Sequence, residues 1–153
     1  MTTKEYLSQV DRLDKMIARK ICEICEMKES AYGIGAISNE ERVQTTPNHD
    51  PLGTMYVRNA ELEKKYKNQI GVYDDLREKI KLQIVSVDNQ MYRNVLFAKY
   101  VDGKSLERIA DEMSRTYKHI TKVHGKALME FEQKYKSCYS GIKDLMEFLQ
   151  KCD

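Results

Sequence analysis

The stretch Ser105 to Leu128, SLERIADEMSRTYKHITKVHGKAL, decides how this chain folds. Leu106, Ile109, Ala110 and Met113 fall at i, i+3, i+4 and i+7, the spacing of one face of an α-helix. After a short interruption Ile120, Val123, His124, Ala127, Leu128 and Phe131 repeat that period. Two short helices joined by a tight turn are expected, a helix-turn-helix pattern. Ser105 and Thr116 are the expected N-caps, because a side-chain oxygen at either position can accept from a free N–H of the first turn. Ala110 is expected where the helices cross, since a larger side chain would push them apart. Arg115, Lys118, Lys122 and Lys126 add positive charge, and no acid occurs between Glu112 and Glu130. A helix whose outward face is only basic and polar suits a DNA phosphate backbone.

Upstream, Gly103 is placed to end a third helix in the left-handed conformation. Tyr92, Val95, Leu96 and Tyr100 give that helix a packing face, and Asp88 or Asn89 can cap its start. Before the break at Val87, Tyr66, Ile70, Tyr73, Arg77, Ile80, Ile84 and Val87 step by four and three, a heptad seam. At the beginning, Thr2 to Glu5 reads as a capping box that starts a helix running from about Thr3 to Lys28 or a turn beyond. Its stripe is Leu7, Val10, Ile17, Ile21 and Ile24, widened by Leu13 and Met16 and interrupted by Asp14. The two long helices are expected to pair as an antiparallel coiled-coil hairpin. Asp14 and Arg77 are the polar intrusions on their stripes, and spacing alone does not say whether they meet. Polar seam residues can set oligomeric state. Two arrangements stay open: a second subunit's helix pair completing the core, or a hairpin folded back on its own DNA-binding part.

Between the long helices, residues 33–54 hold both prolines, three glycines and no period, and are expected to form a mobile connector. After Phe131 the last helix of the DNA-binding part runs to about Lys136. The tail from Ser137 carries Ile142, Leu145, Met146, Phe148 and Leu149, an expected C-terminal amphipathic helix. The expected division is thus 1–88 for the hairpin with its connector, 89–136 for the helix-turn-helix, and 137–153 for the tail.

One-third of the residues are charged and only 8% aromatic, a balance that favours long solvated helices over a sheet-built enzyme core. No apolar run approaches the ~18 residues of a membrane span, and the first residues lack the apolar core of a signal peptide. The chain is therefore expected in the cytoplasm, away from membranes. Cys22 and Cys25 form a C-x-x-C inside a helical pattern and read as small apolar packers beside Ile21 and Ile24. No further ligands stand at zinc-knuckle spacing, so neither a metal nor a cofactor is expected. His49 lies in the connector, His119 on the outward face and His124 on the inward face, and none has a Ser or Cys at a nucleophile's spacing. No phosphate-cradling loop is present. No catalytic residue is assigned, and His124 is expected as a packed, hydrogen-bonded core side chain.

The helix-turn-helix residues resemble region 4 of the bacterial sigma factors: Leu106, Glu107, Ile109, Glu112, Met113, Thr116, Ile120, Val123 and Lys126-Ala127-Leu128 lie at its usual positions. Tyr92-Arg93, Lys99-Tyr100, Gly103-Lys104-Ser105, Ile109-Ala110 and His124 to Leu128 look like a family of short region-4-like proteins encoded by phages and prophages of Gram-positive bacteria. Arg42 to Pro47, with Asp50-Pro51, looks like that family's linker, so the resemblance covers roughly residues 3–136. It departs at Leu106, where a Trp is usual, and at Ser114, where a turn glycine is common. The resemblance implies that Tyr117, Lys118, Thr121 and Lys122 face promoter bases and that His124 is noncatalytic.

The reading is an all-α protein: an antiparallel coiled-coil hairpin, a sigma-region-4-like helix-turn-helix domain and a C-terminal amphipathic helix. The expected function is sequence-specific binding of double-stranded DNA in phage or prophage transcription control, without enzymatic activity and as a homo-oligomer. The assigned DNA-binding residues are Arg115, Thr116, Tyr117, Lys118, His119, Thr121, Lys122 and Lys126. An activator of late genes touching DNA and RNA polymerase is the most concrete version. The alternatives are a DNA-packaging role like that of small terminase subunits, and a protein-interaction module whose basic face binds an acidic partner.

Overall fold

The computed structural model describes residues 1–34, 51–139 and 141. Among them the chain is all-α, with no strand: α1 (Thr3–Leu7), α2 (Gln9–Ile34), α3 (Pro51–Val85), α4 (Gln90–Tyr100), α5 (Leu106–Glu112) and α6 (Tyr117–Tyr135), then a 3₁₀ turn at Lys136–Cys138. No helix of the described residues is long and apolar enough to cross a membrane. Residues 35–50 of the expected connector, His49 included, and the expected C-terminal helix from residue 142 lie outside the described residues. The connector's edges are helical where the sequence suggested none, since α2 reaches Ile34 and α3 starts at Pro51. Proline tolerates the first helical position because its missing N–H would have no helical partner there.

The expected first helix is divided at Ser8. Thr2 and Glu5 form the capping box, with Thr2 Oγ1 accepting from Glu5 N–H at 3.3 Å and Glu5 Oε2 from Thr2 N–H at 2.7 Å. Ser8 Oγ then donates to the Lys4 carbonyl at 2.7 Å, and Gln9 Nε2 donates to the Glu5 carbonyl at 3.0 Å. The Ser8 N–H still bonds the Lys4 carbonyl at 2.9 Å, and side chains that share the carbonyls of the preceding turn in this way slightly destabilise and bend a helix.

The chain forms two compact units, Met1–Asp14 with Asp75–Asp153, and Lys15–Asp74. The first unit holds residues from both sides of position 88, where the sequence reading divides the chain. In the second unit the buried positions of α2 are Lys20 and Ile24, whereas Ile21 is 49% exposed and Cys22 and Cys25 are exposed. The cysteines are therefore not packers, which corrects the sequence reading. The buried stripe passes through Lys20 instead of Ile21, and its ammonium lies 4.7 Å from the Tyr66 ring centroid while the stem lies inside. Glu63 accepts from Lys28 at 3.0 Å and from Lys67 at 2.7 Å, and both lysines hold its carboxyl below the usual range.

In the first unit the polar intrusions do meet: Arg77 Nη1 lies 2.7 Å from Asp14 Oδ1. The heptad positions Ile80, Ile84 and Val87 are buried. Tyr6 sits at the centre of this unit, fully buried. Its hydroxyl donates to Gln83 Oε1 at 2.7 Å, and its ring stacks on Tyr139 at 4.4 Å and tilts against Phe131 at 6.0 Å. Burial pushes the Tyr6 hydroxyl up to about 12, so it keeps its proton and remains the donor. At the far end of α6, Lys134 Nζ donates to the Ser86 carbonyl at 2.8 Å, and the Tyr135 and Ser86 hydroxyls are hydrogen-bonded.

Removing the hydroxyl in Tyr6→Phe would leave a buried Gln83 acceptor without its donor, at a cost of about 1–3 kcal/mol. Urea unfolding should show that loss with unchanged helicity, and adding Gln83→Leu should recover part of it. Equal stability of wild type and Tyr6→Phe would mean that the buried bond contributes nothing.

Candidate nucleic-acid interface

Three helices of the first unit present the basic surface. Their shared core is Val95 and Ala98 from α4, Ile109 and Ala110 from α5, and Ile120 and Val123 from α6, edged by Met91, Tyr92, Leu106 and Met113. Each start is capped locally. Asn89 Oδ1 accepts from Met91 N–H at 2.9 Å, Ser105 Oγ from Arg108 N–H at 3.2 Å, and Thr116 Oγ1 from His119 N–H at 3.3 Å. Gly103 takes φ +66° after α4, and the Lys104 N–H reaches back to the Ala98 carbonyl at 3.0 Å.

The turn between α5 and α6 keeps its geometry without a glycine. Ser114 itself adopts φ +51°, its N–H bonds the Asp111 carbonyl at 3.1 Å, and the Arg115 N–H bonds the Ala110 carbonyl at 2.9 Å. This bond pair is a Schellman motif, which needs a left-handed residue after the C-cap Met113. A serine pays steric strain there that glycine would not.

Under α6, His124 is buried, with its Nε2 3.2 Å from the Tyr100 hydroxyl and the two rings stacked at 5.8 Å. Burial pushes the Tyr100 hydroxyl up to about 12, so its proton stays available to a neutral imidazole. Burial first, then the charges of Lys4 and Lys99, lower the His124 pKa.

On the other side, Arg115, Thr116, Tyr117, Lys118, His119, Thr121, Lys122 and Lys126 are all exposed. The Thr121 hydroxyl donates to the Tyr117 carbonyl at 2.9 Å, which holds it on the helix surface. Arg115, Lys118, Lys122 and Lys126 have no ion-pair partner among the described residues. The cations of the preceding segment are occupied instead. Glu112 takes Lys104 Nζ at 2.7 Å and Arg108 Nε at 3.2 Å. Among the described residues, cations without an ion pair thus stand at the turn and along α6, whose first turn contains no acid and carries the positive end of the helix dipole. Met129, 64% exposed, continues this face and was not singled out from sequence, because it stands beside the apolar positions Ala127 and Leu128. Gly125 is exposed too, and a Cβ there would meet nothing within 4 Å.

No family model matches this chain, and no curated protein or solved structure matches it.

Two outcomes test this geometry. Ser114→Gly should raise stability by about 1 kcal/mol by relieving left-handed strain, seen as a higher melting temperature; a lower one would show that the serine side chain supports the turn. Because the folded His124 pKa lies below its ordinary 6.5, the unfolded chain binds the extra proton more readily. Stability is then complete above about pH 6.5 and falls as pH drops below it. Urea midpoints between pH 7.5 and 5.5 should decline in the wild type and flatten in His124→Gln; an equal decline in both would remove His124 as the source.

Proposed function

We propose that this chain binds double-stranded DNA sequence-specifically through the exposed face of α6 and acts as a regulator of phage or prophage transcription. The observation that carries the reading is the segregation of charge: four cations without an ion-pair partner among the described residues, at the start and along the outer side of α6, while Glu112 pairs with Lys104 and Arg108. The capped turn between α5 and α6 supports a helix-turn-helix, with α6 as the helix that enters the major groove. In such a docking Tyr117, Lys118, Thr121 and Lys122 reach base edges, and Arg115 holds a phosphate. The resemblance of these helices to sigma-factor region 4 supports the same assignment.

The long helices fit an antiparallel coiled-coil hairpin that serves oligomerisation. In the second unit, Lys28 of α2 meets Glu63 of α3 and Lys20 meets Tyr66, so partner numbers rise along α3 as they fall along α2. Two DNA-binding parts per assembly would read two half-sites of an operator.

Selection of bound sequences from random duplex DNA, followed by titration of variants, tests the proposal. Lys122→Ala should weaken binding and change the preferred base at one position, since a lysine reaching guanine O6 and N7 contributes about 1–3 kcal/mol of discrimination. Arg115→Ala should weaken all sequences alike and flatten the salt dependence by about one unit of slope. If neither substitution changes binding to the selected site, α6 is not the recognition helix. Binding to an acidic protein with none to duplex DNA at low salt would replace this reading by the interaction-module alternative.

A further inference from the structure

Gly125 lies within α6, where glycine is less favourable than alanine because it orders a more flexible backbone. No contact among the described residues asks for it. Its conformation is ordinary helix, it is exposed, and an added Cβ would have open space for at least 4 Å. Among the described residues no crossing helix accounts for the missing side chain. The position is set in a particular neighbourhood: Lys118, Thr121, Lys122 and Met129 stand seven, four and three residues before it and four after it, on the same side of the helix. All four are exposed, and the two lysines have no partner among the described residues.

We infer that duplex DNA packs directly on the α6 backbone at Gly125, which sets how deeply the helix enters the groove. This rests on the DNA-binding reading and adds a residue that shapes the fit without offering a hydrogen bond. An α-helix with side chains is about 10–12 Å across and the major groove about 12 Å wide, so a helix seated in it has little clearance at the groove walls. Gly125 stands eight positions beyond Tyr117, about 12 Å along the axis, where a helix that enters by its N-terminus passes a wall. Its amide is already bonded within the helix, so what the glycine provides is closeness. The charges of Lys118 and Lys122 would draw the duplex to this face, and the bare backbone would let it come near. The adjacent exposed cations favour a polyanion over the helix of a second copy.

The test compares wild type, Gly125→Ala and Lys122→Ala on the duplex selected by the wild-type protein, using fluorescence anisotropy, thermal melting and sedimentation velocity. Gly125→Ala should melt a few degrees higher, keep its sedimentation coefficient, and bind about tenfold more weakly, equivalent to roughly 1.4 kcal/mol. Undiminished binding by Gly125→Ala, with Lys122→Ala weakened, would overturn close approach at Gly125 and leave the DNA-binding reading standing. A wild-type protein that binds no duplex would overturn both. A lower melting temperature, or a changed association state with intact DNA affinity, would show that the glycine serves the fold or a second copy, and would also overturn the inference.

Discussion

The left-handed backbone at Ser114 governs the orientation of α6 relative to α5. Reversal of the chain within the few residues between Glu112 and Tyr117 requires a residue with positive φ, and the Schellman bonds to Ala110 and Asp111 close the turn around it. Once the turn is closed, Thr116 follows in extended conformation and caps the next helix. Ala110 serves two purposes here: its carbonyl accepts the turn's wider-spanning bond, from the Arg115 N–H, and its small side chain lies in the core shared with Ile120 and Val123. A bulkier residue would disturb the turn and the packing together.

The charge on the surface follows from that orientation. α6 buries Ile120, Val123, His124, Ala127, Leu128 and Phe131, which leaves its cations on the solvent side. The acids of α5 could have neutralised them. Glu112 instead bridges Lys104 and Arg108, and these two cations hold its carboxyl below the usual range. Exposed pairs of this kind contribute little stability, typically well under ~1 kcal/mol. Their larger effect is electrostatic, because they keep the Glu112 carboxylate, the acid nearest the turn, occupied by Lys104 and Arg108.

The rest of the first unit anchors this surface from the opposite side of α6. Tyr6 links α1 to Gln83 of α3 and to Phe131 of α6, and Lys134 and Tyr135 hold the end of α6 to Ser86. A helix tied at its inner face and at its far end can present its start as a fixed element.

The amino-acid sequence by itself determined the local features. The caps at Asn89, Ser105 and Thr116, the capping box at Thr2 and the left-handed end at Gly103 each involve groups within a few residues, so their chemistry is complete in a short window. The inward face of α6 and the exposure of its cations were legible for the same reason, since period alone sorts them. What only the tertiary structure decided depends on partners far apart in the chain. The sequence suggested Ile21 and the two cysteines as packers of α2, but the buried stripe runs through Lys20, whose ammonium is met by the Tyr66 ring and by Glu23 at 3.2 Å. Asp14 and Arg77 could be recognised as polar intrusions but not as partners, since 63 positions separate them. The role of Tyr6 was hidden as well: a tyrosine in a first turn has no local signature of burial, and only the convergence of α3, α6 and Tyr139 encloses it.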